Sequence, residues 1–485
     1  MTPTTPPPAR TISPASLAEL IHAVRGAEAG AARVKALGAD RSFSDVAHTT
    51  GTRIRTDRLD RPLPVDPATL RDPAAAATLV RVEAGMRLFR LNRLLDRRGL
   101  ALENTPAFTG QTVAGAVATA SHGTGLGLGP LCDLVVSIEL VASGGACWRI
   151  EPRDGITDPA RFRTLGVRLV QDDDWFYSVV ASLGCMGVAY ALTFRTVPRF
   201  FLAETRTLLT WPEARADVAS ATFLRRHRHY GLLVNPHEVG GRRLCVATVR
   251  DPAATPPPGW RLRPRQRLAA SLAGRLPIAR LVVAALNRRP ERAPGAIDAA
   301  LRACAPSRAC RPSWQILDNR PLNTACRAHA IELSVPVARA VEATEAVLAL
   351  ADRRRRAGVP LTGPVALRFV RASRHHLSPH FGADACAIEV VSLHGSTAGR
   401  DELAQYERLL LALGGRPHWG LDLFDPLAGG GALEAMYPRF PAWRAVYGAL
   451  NPLGTFDNAL TARLGFRPAL EGSGPRGAAR LAASE

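Results

Sequence analysis

The segment that most constrains this chain lies at residues 109–129, where glycine stands at positions 110, 115, 123, 125, 127 and 129 among mostly small side chains. Glycine allows backbone conformations closed to other residues and lets another group approach the peptide closely. Backbone N–H groups freed in this way can form a concavity that binds an anion such as a pyrophosphate. A tight glycine bend between two core strands is the alternative, and composition alone leaves both interpretations open.

Two common phosphate-binding motifs do not match this segment. The GxxxxGK[ST] motif needs a lysine, and the segment has none. No GxGxxG opens a helix directly after a strand, so a dinucleotide site of the Rossmann type is not supported either.

Length and charge bound the remaining possibilities. A chain of 485 residues with 47% apolar residues is too long for one ordinary core and predicts two or three joined domains. The net charge of +20 raises nucleic acid or an anionic membrane surface as a partner. Lys35 is the one lysine among 62 basic residues, however, so the arginines look like a compositional bias spread over the chain. No basic motif interleaved with aromatic residues accompanies the charge, and we expect no nucleic-acid partner.

Cysteines and the N-terminus indicate an intracellular protein without a structural metal. The eight cysteines form no CxxC pair, so neither a zinc site nor a disulfide framework is predicted. The first 14 residues lack a basic stretch followed by an apolar one, as a signal peptide would have. The apolar run at 276–286 is too short to cross a bilayer. We predict a cytoplasmic protein with no transmembrane segment and no metal.

Apolar spacing divides the chain at about residue 200. The first part reads as an α+β unit, with helices at 13–25, 88–98 and 174–183, strands at 32–36, 78–82, 134–142 and 189–197, and a charged loop after residue 142. Beyond it, strands at 328–335, 365–371 and 385–393 alternate with helices at 337–357 and 402–413. An arginine- and proline-rich stretch between the two predicts helices at 267–274 and 278–288.

A set of short motifs occurs in one fixed order along the chain. They are residues 38–45 with His48-Thr49-Thr50-Gly51, residues 82–85, residues 111–125 (QTVAGAVATASHGTG), residues 182–196, residues 331–336, Arg368 before Leu377-Ser378-Pro379, residues 416–420, residues 437–440, and Asn451-Pro452. In order and spacing they resemble flavoprotein oxidases of the vanillyl-alcohol oxidase superfamily, with most similarity to the aldonolactone and alditol oxidase branch.

This resemblance implies an α+β fold with a two-part FAD-binding domain of the PCMH type. A cap domain with a mixed, mostly antiparallel sheet covered by helices would lie over the flavin. The implied division is a disordered N-terminus at 1–12, the FAD domain at 13–200, the cap at 201–425, a segment at 426–470 that packs back on the FAD domain, and a flexible tail at 471–485. The residues implied to bind FAD are Ala39, Asp40, Arg41, Ser42, Phe43, Ser44, Gly115, Thr119, Ser121, His122, Gly123, Thr124, Gly125, Gly187 and Val188.

Three positions depart from the family pattern. Many relatives attach the flavin through a histidine where this chain has Arg41, so we predict non-covalent FAD. Ala366 stands where relatives have a glutamate two residues before the cap-strand arginine. Leu421 replaces the lysine that follows their His-Trp-Gly, which leaves Arg368 or His418 to place positive charge near the flavin.

Removing a hydride from an alcohol carbon also requires a group that accepts the hydroxyl proton. We name Arg368, His418, Glu389 and His394 as catalytic candidates. Because Glu389 and His394 are five residues apart along a strand, they should face opposite sides. For His122 we expect mainly a role in holding the loop. His375, His376 and His380 read as a solvated loop.

The sequence therefore favours an FAD-dependent oxidoreductase that oxidises a C–OH group of a small molecule, with O2 or another compound as electron acceptor. Loss of the glutamate and lysine argues against a simple alditol or aldonolactone and for a specialised metabolite. A flavin-binding protein of the same fold without redox turnover is the alternative. The third possibility is a basic protein that binds nucleic acid or a membrane surface.

Overall fold

A computed structural model describes residues 7–254, 278–318, 328–424 and 431–467 of this chain. The first unit contains a three-stranded parallel sheet in the order β1-β3-β2 and a six-stranded sheet in the order β4-β5-β10-β7-β8-β9. Its elements are β1 (Arg10–Ile12), α1 (Leu17–Ala29), β2 (Val34–Leu37), β3 (Thr52–Arg55), β4 (Pro62–Leu63), β5 (Leu79–Glu83), α2 (Leu88–Arg97), β6 (Leu100–Ala101), α3 (Val113–Ala118), β7 (Val135–Val141), β8 (Cys147–Glu151), β9 (Val167–Gln171), α4 (Asp173–Val179), β10 (Val188–Arg195) and β11 (Val197–Pro198).

Two predictions for this unit are wrong. Arg10–Ile12, expected in the disordered N-terminus 1–12, forms β1, because its backbone pairs in parallel with the strand that starts at Thr52. The predicted charged loop after residue 142 contains β8 and β9, which extend the six-stranded sheet beyond β7. Charged side chains hid these two strands, since an edge of a sheet can face water on one side.

The second unit is built on an eight-stranded sheet in the order β15-β12-β14-β13-β17-β18-β16-β19, and its described strand pairs are antiparallel. Its elements are β12 (Phe201–Thr210), α5 (Trp211–Ala219), α6 (Ala221–Arg226), β13 (His229–Val234), β14 (Leu244–Ala253), α7 (Ile278–Arg288), α8 (Ala293–Cys304), β15 (Ser307–Pro312), α9 (Ser313–Leu317), β16 (Ala328–Pro336), α10 (Ala340–Arg356), β17 (Val365–Val370), β18 (Ala385–Leu393), α11 (Arg400–Ala412) and β19 (Arg416–Pro417). Helix α8 lies in the arginine- and proline-rich stretch and was not predicted; the predicted helix at 267–274 lies outside the described residues.

The two faces of this sheet differ in chemistry because side chains alternate along each strand. One face is apolar and packs against α5, α10 and α11; in β16 it presents Ile331, Leu333 and Val335. The same strand turns Glu332 and Ser334 to the opposite face. That second face is the one that meets the first unit, where Gly125 forms a bridge with Val370.

The chain then returns to the first unit through α12 (Gly431–Met436), α13 (Phe440–Leu450) and α14 (Ala459–Arg463). Aromatic residues of this segment complete the apolar core around α4. Trp443 stacks on Tyr447 with ring centroids 5.5 Å apart and meets Phe466 edge-on at 4.6 Å. Such aromatic pairs each add roughly 0.5–1.5 kcal/mol beyond area burial, so this segment is part of the folded unit. The predicted tail 471–485 lies outside the described residues.

No helix within the described ranges combines the length and the apolar content needed to cross a membrane.

Candidate functional site

A long cleft crosses the first unit between the β2–β3 turn, helix α3 and the residues leading into β10. Its volume is about 1160 Å³ when the open mouth is counted. Its walls are mostly small or apolar, with residues 35–48 on one side, 111–119 on another and 179–192 along the third. Ligand sites in proteins are typically concave and apolar with a few placed polar groups, and this cleft has that character.

Glycines allow the walls of the cleft to approach each other. A Cβ at Gly38 would lie 2.2 Å from Thr112 Oγ1, the atom that accepts the Gly115 N–H at the start of α3. Gly187 has φ of 143° and a Cβ there would lie 2.5 Å from Leu140 Cδ1. A larger residue at either position would be forced against atoms of the opposite wall.

The structure brings about half of the predicted cofactor residues to the cleft. Those that line it are Ala39, Asp40, Arg41, Ser42, Ser44, Gly115, Thr119 and Gly187. Arg41 also lies over the ring of Phe108, with its guanidinium carbon 5.8 Å from the ring centroid.

The remaining predicted cofactor residues lie elsewhere. Phe43 is 45% exposed, and Val188 packs in the core beside α1. The stretch Ser121 to Gly125 runs under the eight-stranded sheet and joins the two units: the Thr124 hydroxyl donates to the Tyr230 carbonyl, and Gly125 N donates to Phe369 O at 2.6 Å. The second half of the glycine segment therefore forms a joint between units, because the Gly125 N–H and the Thr124 hydroxyl bond strands of the eight-stranded sheet.

Charged groups converge where this joint meets the cap sheet. Glu332 accepts from Arg368 Nη1 at 2.5 Å and lies 2.8 Å from His122 Nε2 through its other oxygen. Arg368 Nη2 donates to Glu389 Oε2 at 2.5 Å. The His418 backbone N–H donates to Glu332 O at 2.8 Å. We call Glu332, His122, Arg368, Glu389 and His418 the Glu332 cluster.

The cluster adjoins one end of the cleft. Ser44 Oγ, in the cleft wall, donates to Trp419 O at 2.7 Å, and Phe43 N donates to Gly420 O at 2.8 Å. A Cβ at Gly420 would lie 3.2 Å from His418 Cε1 and 3.5 Å from Thr119 Oγ1. The first turn thus fixes the segment that carries His418 beside the end of the cleft.

Charges alternate through the cluster. Burial alone would raise the pKa of Glu332, but His122 and Arg368 face its carboxylate and hold that pKa well below its usual value. Burial alone would lower the pKa of Arg368, and its two glutamate partners raise it instead. His122 Nδ1 lies 2.8 Å from Gly123 O while Nε2 faces Glu332. Both ring nitrogens of His122 are thus held by oxygen atoms of this network.

His418 has the opposite character. Burial lowers its pKa to about 4, so the imidazole is neutral near pH 7. Gly420 N donates to His418 Nδ1 at 3.1 Å, which places the single ring proton on Nε2. In this state His418 donates a hydrogen bond and does not accept a proton.

Two expectations about histidines are wrong. His375, His376 and His380 are at most 3% exposed and are not a solvated loop. Their side chains bond residues far away in sequence, such as Cys132 for His375 and Ser334 for His380. His394 is apart from the Glu332 cluster and stacks on His329 with centroids 5.1 Å apart.

Glu332 was missed as a site residue, although one signal was present. In β16 it lies between Ile331 and Leu333, and a buried carboxylate is expected only where it is paired. For His122 the sequence predicts FAD binding and support of the loop, and it does not predict the contact with Glu332, because the two residues are 210 positions apart.

Comparison with known families matches both units. Residues 8–151 match a family described as an FAD binding domain, and residues 192–464 match D-arabinono-1,4-lactone oxidase. The L-gulono-1,4-lactone dehydrogenase of Mycobacterium tuberculosis is 29% identical, with 94% of this chain and 96% of that protein covered. An alditol oxidase of a Streptomyces species is 28% identical over 92% of this chain and 93% of that protein.

Solved structures agree on the fold. Cholesterol oxidase from B. sterolicum superimposes with a TM-score of 0.73 at 15% sequence identity, covering 94% of this chain and 93% of that one. At this identity the similarity concerns the fold alone. The cleft fits the FAD implied by the matched domain, since glycine and alanine backbone lines it where a Cβ at Gly38 or Gly187 would intrude.

Proposed function

Because this chain belongs to the D-arabinono-1,4-lactone oxidase family, we propose that its Glu332 cluster binds and deprotonates a CH–OH group of a small molecule at the end of the FAD cleft. The protein is an FAD-linked oxidoreductase, and which hydroxyl compound it takes is the proposal. The observation that supports this function best is a partly exposed Arg368 between two carboxylates, beside the cleft and next to a neutral His418.

FAD would be held by the β2–β3 turn, the start of α3 and Gly187, and when bound it accepts the hydride equivalent removed from the substrate carbon. The backbone around Gly38 and Gly115 leaves the space that a pyrophosphate needs. Small and apolar residues form most of the remaining walls.

Glu389 is our candidate for the group that accepts the hydroxyl proton. It stands directly opposite Ala366 in the strand register, so a carboxylate reaches Arg368 from the neighbouring strand although position 366 lacks one. One of its oxygens bonds Arg368, and the side chain is 19% exposed, which makes it the more accessible of the two cluster glutamates. Proton removal by a positioned carboxylate contributes typically 10²–10⁴-fold to rate.

Arg368 and His418 are our candidates for binding the substrate oxygen. The guanidinium and the Nε2–H of a neutral His418 are both donors, so each stabilises negative charge that develops on that oxygen. Glu332 positions these donors, because its carboxylate accepts from Arg368 and its backbone carbonyl accepts from the His418 N–H. Arg368 also supplies the positive charge that relatives place at the position of Leu421.

The substrate class follows from what surrounds these groups. Gly231 and Ala387 lie opposite Arg368, and Ala366 lies opposite Glu389, in the strand register, and each has a small side chain or none. Charged groups for binding hydroxyls are therefore present, while positions 366 and 421 lack the glutamate and the lysine of the relatives. We propose a hydroxylated metabolite bulkier at this point than a simple alditol or aldonolactone.

An anaerobic substrate panel tests this function. Xylitol, L-gulono-1,4-lactone and larger secondary alcohols are mixed with the holoenzyme, and loss of the oxidised flavin absorption is followed. Bleaching by a hydroxyl compound, with its ketone or lactone formed in equal amount, is the expected result. A flavin that only dithionite bleaches would contradict the proposal and favour a non-redox role. Reoxidation by air or by a dye then identifies O2 or another acceptor.

Arg41 leads to a prediction about the flavin linkage. An arginine cannot form the bond to flavin that a histidine forms, so FAD should dissociate when the protein unfolds. After acid precipitation, the yellow colour should stay in the supernatant. Mass spectrometry that finds flavin attached to a peptide would contradict this.

A further inference from the structure

Lys35 is the one lysine in a chain with 62 basic residues. It lies on β2, three residues before Gly38, and it is 1% exposed. It is also part of the cleft wall. A chain that uses arginine almost everywhere thus has a buried ammonium at the cofactor cleft.

The ammonium bonds a strained turn on the opposite wall. Lys35 Nζ donates to Leu183 O at 3.3 Å and to Gly184 O at 3.2 Å. Leu183 and Gly184 have φ of 55° and 64°, and a left-handed leucine is costly without support from its surroundings. Both residues line the cleft. Lys35 therefore holds in place a turn that shapes the cleft.

The charge of Lys35 is poorly compensated by its surroundings. The nearby carboxylates Asp45 and Asp457 bond Arg463 and Arg467 at 2.9 Å and 2.7 Å. Burial lowers the pKa of Lys35, and Cys185 together with these carboxylates only partly opposes that effect. An anion in the cleft would favour the charged form of the amine.

A guanidinium is a poor substitute here. An ammonium is a compact charge whose three donors rotate freely, whereas arginine presents a planar fork. Two carbonyl oxygens of one tight turn are therefore better matched by an ammonium than by a guanidinium. Among the described residues two of the three donors of Lys35 have partners, which leaves one for a ligand in the cleft.

We propose that Lys35 is a cofactor-positioning residue, whose ammonium holds the Leu183–Gly184 turn and gives the cleft a fixed positive charge for the pyrophosphate-bearing half of FAD. This role of Lys35 concerns flavin binding alone, so it does not depend on which hydroxyl compound the enzyme oxidises.

The first test measures the affinity of Lys35→Met for FAD, ADP and riboflavin. Methionine keeps the length of the side chain and removes the charge and the donors. Charge-assisted hydrogen bonds are worth roughly 1.5–3 kcal/mol, so Kd for FAD and for ADP should rise by about 10- to 100-fold, with a weaker salt dependence. Riboflavin, which has no pyrophosphate, should lose much less affinity. Arg55→Met, which removes an exposed cation from neighbouring β3, is the matched control and should bind all three ligands normally.

The second test needs no variant. Because Lys35 is the one lysine, reductive methylation with ¹³C-formaldehyde labels it and the N-terminal amine alone. FAD should slow methylation of Lys35, and in labelled protein it should move the pH midpoint of the Lys35 methyl signal upward. This measurement decides the case if Lys35→Met does not fold. Equal methylation and an unchanged midpoint with and without FAD, or normal ADP and FAD affinity in folded Lys35→Met, would overturn the proposal.

Discussion

Glu389→Gln is expected to slow flavin reduction by about 100- to 10,000-fold while FAD stays bound. Glutamine has nearly the same shape and keeps a carbonyl oxygen for Arg368, but it cannot accept the hydroxyl proton at neutral pH. The rate constant is measured by anaerobic stopped-flow absorbance at saturating substrate, so weaker substrate binding does not enter.

Two further variants separate catalysis from loss of an ion pair. Glu342→Gln removes the carboxylate from an exposed pair with Arg339 and should reduce at the wild-type rate. Glu389→Ala with Ala366→Glu returns a carboxylate to the opposite position of the same register and should recover part of the rate that Glu389→Ala loses. A wild-type reduction rate in Glu389→Gln would exclude Glu389 as the proton acceptor.

The second large effect is loss of stability in mild acid. Burial lowers the pKa of His418, His376 and His237 to about 4 and that of His229 and His375 to about 3. These five side chains are neutral in the native protein at pH 5, but in the unfolded chain each binds a proton below pH about 6.5.

The free energy of unfolding should therefore decrease as the solution becomes more acidic. Since the unfolded chain binds more protons, stability is complete above pH about 6.5 and falls as pH decreases towards 4, by up to about 1.4 kcal/mol per histidine and pH unit. Asp133 acts in the opposite sense, because burial raises its pKa to about 6. Four uncompensated protons amount to roughly 5 kcal/mol per pH unit, comparable with the whole stability of many domains.

The loss of stability is measured as the melting temperature at pH values from 7.5 to 4.5, at constant ionic strength. We expect a steep decrease below pH 6.5. If His375→Asn folds, its melting temperature should depend less steeply on pH, by the equivalent of about one proton. Glu342→Gln, at an exposed position of α10, should leave the pH dependence unchanged. A melting temperature independent of pH down to 4.5 would contradict the neutral, buried state of these histidines.

Much of the fold could be predicted because its signals are local. The glycine segment, the helix at 88–98 and the strands at 365–371 and 385–393 each show their own periodicity or backbone need. Strands β8 and β9 could not be predicted in this way, since their charged side chains resemble a loop until β7 provides an edge to pair with.

The site was predictable only in part. Gly38 lets the β2–β3 turn and α3 lie close together, and only the family resemblance linked these two segments to the cofactor. His122 and Glu332 are 210 residues apart, and His375 and Cys132 are 243 apart. No local pattern brings such pairs together. The sequence therefore predicts a solvated loop for the buried histidines, and it predicts no role for the buried carboxylate Glu332 in β16.

The central claim is that a C–H bond of a hydroxyl-bearing carbon breaks beside the Glu332 cluster as flavin is reduced. Its most direct test uses the substrate found by the anaerobic panel, prepared with hydrogen or deuterium on that carbon. Bleaching of the flavin should be slower with deuterium, and each flavin reduced should yield one oxidised product. Equal rates with both isotopes, or bleaching without that product, would contradict the claim.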